Sequence, residues 1–167
     1  MRIIAMKAHL MLKAASVLVG IGLLSTSHAD ALKPGVQYVS AAQLEAKVAH
    51  TVNGMVNDEI PSGPGSTILI IRREKDGEVE VHKIMNDIIM IKKGHAKILV
   101  GGEVSGNHET KPTEWRGGEI SGAATYELAQ GDLLYIPAGI PHKVLVAPKA
   151  AVTYVTIKIP AQPAAAP

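Results

Sequence analysis

Four places in this chain carry side chains able to do chemistry. The first is His142, which closes the segment GDLLYIPAGIPHKV at residues 131–144. Pro137 fixes its own φ, Gly139 admits a positive φ, and Pro141 restricts the chain one residue before the imidazole. Such rigid presentation suits a metal ligand. An ordinary hairpin ending on an exposed histidine would use the same turn, and the turn alone leaves both open. The second is EVEVHKI, where Glu78, Glu80 and His82 alternate with Val79 and Val81. Period-two alternation sets the polar residues on one face, and burial logic by itself sends that face to water. The third is Asp87, just ahead of the apolar run IIMI. An acid there is costly to bury unless paired or metal-bound; a strand-start residue in water is the alternative. The fourth is the stretch 101–124, with His108, Glu109, Glu114, Trp115, Arg116 and Glu119. Trp115, the sole tryptophan, and Arg116 would make an apolar wall and an anion clamp for a ligand. A solvated loop with one docked aromatic fits the same residues. Tyr135 is a further candidate for a cavity wall, with a core tyrosine as the alternative.

The elements that must position these groups are mostly short strands. Thr67–Arg73 (TILIIRR) is apolar and β-branched, and Asp76-Gly77 is a hairpin turn signal. Glu78–Ile84, Asp87–Lys92, Ala96–Val100, Thr125–Leu128, Asp132–Ile136, Lys143–Val146 and Val152–Ile159 follow as strands, with a Gly-rich interruption over 101–124. Short strands spaced by turn residues predict an all-β barrel or sandwich. Ahead of them, VSAAQLEAKVAH predicts one short helix, with Ser40 as N-cap, Gln43 completing a capping box, and Val39 and Leu44 as a hydrophobic staple. Its apolar face, Leu44 and Val48, makes it a clasp on the barrel exterior. PSGPGS at 61–66 breaks the chain before the strands begin. DIIMI is apolar at consecutive positions, so both faces of that strand need cover. A second subunit is the simplest outer cover, and a homodimer is expected.

Two of the segments together resemble the paired motifs of the cupin superfamily. Gly131-x5-Pro137-x-Gly139-x2-His142 is similar to the second cupin motif, in which the histidine is a metal ligand. In EVHKIMNDIIMIKKG, Asp87 followed by six residues and Gly94 is similar to the Glu-x6-Gly half of the first motif. His82 falls on that motif's second histidine, and Glu80 stands where its first would be. The resemblance covers about residues 67–159. It extends to exported cupins of poorly defined activity through D-I-x-x-I-x-x-G at 87–94, E-x-R-G at 114–117 and the I-P-A-G-x-P-H ending. It implies a cupin-type double-stranded β-helix, a jelly-roll barrel with a short N-terminal helix. It also implies a metal site of His82, His142, Glu80 and Asp87, with the polar face of EVEVHKI turned inward. Asp87 is one methylene shorter than Glu and can reach a metal through a water. Two imidazoles and two carboxylates suit Zn, Fe(II), Mn or Ni. Asp87 and Glu80 are then candidates for proton transfer, and Arg116, Trp115 and Tyr135 for substrate contact.

The ends and the composition bound the rest. Met1–Lys13 carries Arg2, Lys7 and Lys13 and no acid; AASVLVGIGLL and the small, polar STSHADA follow. This is the three-part pattern of a secretory signal peptide over 1–29, cleaved after Ala29 or Ala31, and the apolar run is too short to span a bilayer. Three of the 17 basic residues lie in that segment, which leaves 14 against 15 acidic residues and moves the net charge from +2 to −1. No nucleic-acid or anionic-membrane partner is indicated. The expected location is periplasmic or secreted. Residues 30–66 read as leader, helix and linker, 67–159 as barrel, and 160–167 as a disordered tail. The chain has no cysteine, which excludes thiolate ligands, cysteine nucleophiles and a Cys–Tyr crosslinked thiol dioxygenase. The expected function is an exported barrel binding one divalent metal and acting on a small sugar or carboxylic acid, in the manner of an isomerase, lyase or dioxygenase. A non-catalytic ligand- or metal-binding barrel is the alternative, and a metal-free structural barrel the third.

Overall fold

The computed structural model describes residues 35–162. The expected signal peptide, the start of the leader and the end of the tail lie outside them. Helix α1 (Ala41–Lys47) is capped as the sequence indicates: Ser40 Oγ accepts from Gln43 N, and Gln43 Oε1 accepts from Ser40 N. Strands β1 (Met55–Ile60), β2 (Thr67–Arg73), β3 (Glu80–His82), β4 (Met85–Lys93) and β5 (His95–Val100) follow. Then come β6 (Glu103–Ser105), β7 (His108–Lys111), β8 (Glu114–Arg116), β9 (Glu119–Ser121) and β10 (Ala124–Ala129). The last three are β11 (Leu133–Ile136), β12 (His142–Leu145) and β13 (Val152–Pro160).

Two antiparallel sheets face each other. One runs β1-β2-β13-β4-β11 and the other β10-β5-β12-β3-β8-β7. Between them lies an aliphatic core in which Ile89 and Ile91 of β4, Ile98 of β5, Ile136, Val144, Val152 and Tyr154 are buried. Alternation along each strand sorts the faces. On β2, Ile71 enters this core and Ile70 points out; on β13, Tyr154 enters and Val155 points out. The outward residues pack with Val48 and Leu44 beside α1, and Lys47 pairs with Asp58 at 2.8 Å. The helix is thus the clasp expected on the exterior. Its packing partners lie on β1, β2 and β13; farther along the sheet are β4 and β11. There Met90 lies opposite Leu133 and Ile88 opposite Tyr135, in a strip whose β11 members are exposed.

Three sequence expectations change. The sheet begins earlier than Thr67, because β1 pairs with β2 over its whole length; MVNDEI lacks the apolar density that marks the other strands. Asp76-Gly77 does not turn a hairpin. β2 and β3 belong to different sheets, and Asp76 instead accepts from Val146 N at 2.8 Å. The stretch 101–124 is not an irregular loop: β6 pairs with β9, and β7 with β8. Its glycines make these tight reversals. Gly102 and Gly118 sit at φ +79° and +76°, where an added Cβ would lie 2.2 Å from the carbonyl oxygens of Ser121 and Ser105. Gly-rich composition reads as loop, but here it lets two backbones come together.

Candidate functional site

Strand register brings the polar residues into two rows that face each other. On one sheet His142 lies opposite Glu80, and Glu80 opposite Arg116, so three neighbouring strands contribute to one inward row. On the other sheet Lys158 of β13 lies opposite Asp87 of β4. Glu80 and His82 therefore do point into the barrel, and the solvent-facing alternative is set aside. His82 is 2% exposed, Asp87 2% and His142 4%. Val79 and Val81 are buried as well, Val81 lying across from Trp115.

The turn that presents His142 is stitched to the strands bearing the other ligands. Ala138 N donates to Asn86 Oδ1 at 2.9 Å, and Gly139 N, at φ +81°, donates to the His82 carbonyl at 2.8 Å. The rigid "PAG" bend thus fixes His142 relative to His82 and Asp87.

Ligand atoms of Glu80, His82 and His142 all lie within 4.8 Å of one another. Asp87 Oδ2 stands 3.3 Å from His82 Nε2 and 3.5 Å from His142 Nε2. Each imidazole is oriented from outside. His142 Nδ1 is 3.2 Å from the Ile140 carbonyl, which can only accept, so Nδ1 carries a hydrogen there. His82 Nδ1 meets the Glu114 carboxylate. Both rings thus turn Nε2 toward the centre with Nδ1 held by an acceptor, the arrangement that prepares histidine for a metal. Two imidazole nitrogens and a carboxylate fit a divalent transition metal.

Cations surround these acceptors. Arg116 Nη1 donates to Glu80 Oε1 at 2.5 Å. Arg73 is buried, donates Nε–H to Tyr154 Oη at 2.8 Å, and approaches Glu80 Oε1 at 3.8 Å. Lys158 Nζ lies 2.8 Å from both Asp87 oxygens and 2.7 Å from His82 Nε2. Burial alone would raise the Glu80 pKa. The hydrogen bond from His82 and the charges of Arg116, His142 and Lys158 outweigh it and hold the carboxyl down at about 2. Burial likewise works against Asp87, yet His142, His82 and Lys158 hold it well below the usual carboxylate range. His82 is opposed by burial and by Lys158, but Asp87 and Glu80 push it up to about 9. His82 Nε2 and Lys158 Nζ, 2.7 Å apart, are in hydrogen-bond contact, with one N–H between them. Buried Tyr154 is pushed up, by burial first.

Arg73, Glu80, Asp87, Arg116, His142 and Lys158 line one cavity with Leu69, Ile71, Ile89 and Val144. Its volume is about 70 Å³, room for a couple of waters or a very small ligand. Of the expected ligand contacts, Arg116 reaches it. Trp115 does not. It lies on the opposite face of β8, where it lines a separate hollow with Val81 and Val104, and Lys83 Nζ sits 5.1 Å from its ring centre. Tyr135 does not reach it either; it is 51% exposed on the outward face of β11, because Leu134 and Ile136 take the inward positions. Lys158 and Arg73 were not among the sequence candidates, and Glu114 was named only within the 101–124 stretch, without a role. Lys158 had a signal, since a lysine inside VTIKI on the same face as Tyr154 is as conspicuous as Asp87 before IIMI. Arg73 continues the inward alternation of Leu69 and Ile71. Glu114 had the E-x-R-G match at 114–117 as its signal, but its strand was not recognised.

Solved structures share this architecture. The chain is similar to an uncharacterized conserved protein with a double-stranded beta-helix domain from Klebsiella pneumoniae (13% identity, TM-score 0.55, covering 75% of this chain and 90% of that one). The fold is the cupin-type double-stranded β-helix. It is also similar to a protein from Thermus thermophilus (15%, TM-score 0.54, 75% and 98%). A third match is a conserved protein of unknown function from Streptococcus pyogenes (17%, TM-score 0.52, 80% and 100%). No family model and no curated protein matches the sequence.

Proposed function

We propose that this cupin-fold barrel is an exported protein that holds one divalent metal on Glu80, His82 and His142 and acts there on a small carboxylic or sugar acid, as an isomerase, lyase or dioxygenase would. The observation that carries it is the pair of imidazoles, each tied at Nδ1 and each turning Nε2 toward Glu80. A metal bound there supplies Lewis-acid polarisation of a substrate oxygen. Arg73 and Arg116 offer guanidinium groups to a carboxylate, with Glu80 as their resident partner. The aliphatic wall of Leu69, Ile71, Ile89 and Val144 limits water. Glu80 and Asp87, expected to move a proton, are too acidic to be good bases near neutral pH. Lys158 Nζ, 2.8 Å from both Asp87 oxygens and 2.7 Å from His82 Nε2, is a further N–H donor at the cavity. Export rests on the N-terminal basic, apolar and small-residue pattern. The exposed strip of Leu133 and Tyr135 is where a second copy would sit.

A non-catalytic binding barrel is the second reading, favoured by the completeness of the internal charge pairing. Metal-loaded and metal-stripped protein would be incubated with a panel of small hydroxy, keto and sugar acids, with conversion followed by NMR and binding by calorimetry. Metal-dependent conversion of one acid is expected. Metal-dependent binding without conversion selects the second reading, and neither overturns both.

A further inference from the structure

Among the described residues, Lys158 is the one cation in direct contact with a nitrogen of the metal triad. Its ammonium lies 2.7 Å from His82 Nε2 and 2.8 Å from each oxygen of Asp87. An imidazole nitrogen has one lone pair. His82 Nδ1 is already engaged by Glu114, so Nε2 is the only atom with which His82 can bind a metal. Nε2 cannot keep its 2.7 Å contact with Lys158 and hold a metal at once. On this basis, which rests on the metal-site reading above, we propose that Lys158 is a built-in competitor for the metal. The ammonium and a divalent cation hold His82 Nε2 alternately, and the strength of the lysine contact sets how tightly the site loads.

The surroundings fit an exchange rather than a permanent block. Lys158 is anchored by its strand register opposite Asp87, and its flexible four-carbon stem allows the ammonium to leave His82 while keeping Asp87. The three-ligand group is Glu80, His82 and His142, so Asp87 remains free to keep the lysine when the metal is bound. In the metal-free state Lys158 neutralises Asp87, which is 2% exposed, and so spares the barrel an uncompensated buried charge. The chain thereby holds its site folded without metal, at a cost in affinity.

The test is Zn²⁺ affinity, measured by competition with a chelating indicator, for the signal-free chain and its Lys158→Met and Lys158→Gln variants. Co²⁺ absorption serves as a second readout, and circular dichroism confirms folding. Lys143→Met is the control, removing one positive charge from the neighbour of His142 on the outward face of β12. Lys158→Met and Lys158→Gln should bind Zn²⁺ about tenfold tighter or more. Lys143→Met should stay within about twofold, because charges facing solvent are weakly felt. The gain should survive about 0.5 M NaCl, where long-range electrostatics are screened. Equal or weaker affinity in a folded Lys158 variant overturns the inference, as does a gain matched by Lys143→Met or abolished by salt. If the unmodified chain binds no Zn²⁺ and the Lys158 variants bind one equivalent, the competitor stands and the metal-bound reading of the natural chain falls. If none binds, both fall.

Discussion

The two ends of the barrel interior are built by the same strands from opposite materials. Along β4 the inward positions pass from Asp87 to Ile89 and Ile91; along β12 they pass from His142 to Val144; along β13, from Lys158 and Thr156 to Tyr154 and Val152. The apolar end is held by burial, which is non-directional and tolerant. The polar end is held by register, since each carboxylate must meet its cation within hydrogen-bond distance. Burying charges that only neutralise one another gains little stability over apolar packing. The polar end therefore has another purpose, and convergent imidazoles on a small cavity indicate which.

The difference can be broken most strongly with acid. Glu80, ordinarily near 4.5, is held at about 2, and Asp87 is depressed further from 3.8. Lowered carboxyl pKa values contribute stability that is full above those ordinary values and lost as pH falls. Urea midpoints of the metal-free protein should drop steadily from about pH 5 toward about pH 2. A flat profile would mean that the polar end contributes nothing to folding. Asp87→Ala is the next largest. It leaves Lys158 without its carboxylate, and equilibrium unfolding with a chelator present should show a loss of about 3–5 kcal/mol. Replacing both partners, Asp87→Leu with Lys158→Leu, should recover most of that loss while abolishing the response to metal. Ile98→Ala at the apolar end, where Ile98 is fully buried, should cost about 3 kcal/mol. That cost should be the same in mild acid as at neutral pH, because Ile98 is fully buried in a cluster of hydrophobic side chains. Smallest is Leu133→Lys on the outer strip. Stability should move by under about 0.5 kcal/mol, while light scattering should shift from dimer to monomer; a monomeric unmodified protein contradicts the dimer.

How much of this was legible in the sequence follows the same division. Strands β2, β4, β5 and β13 could be read because their aliphatic runs fill the apolar end, where composition and period suffice. Helix α1 could be read from Ser40 and Gln43. The polar end needed a pairing that no single segment carries. His82, Asp87 and His142 could be singled out locally but became one site only when two motifs were matched, and Glu80 joined it by standing where the first motif's first histidine would be. Lys158 and Arg73 enter through cross-strand register, which hydrophobic pattern does not encode. Trp115 and Tyr135 were placed in the cavity by residue type, yet one-residue alternation puts both on the outside. Glu114 and Arg116 were named, but their strand β8 stayed hidden because glycine-rich reversals look like loop until two backbones are seen to meet.

The most direct measurement is the number of metal ions per chain. The signal-free protein would be reconstituted with Zn²⁺, Mn²⁺ or Fe²⁺, freed of excess, and assayed by elemental analysis beside His82→Ala and His142→Ala. One equivalent in the unmodified protein and almost none in either variant is the expected result. An unmodified protein that retains no metal, or variants that retain as much as it does, would contradict a metal centre on Glu80, His82 and His142.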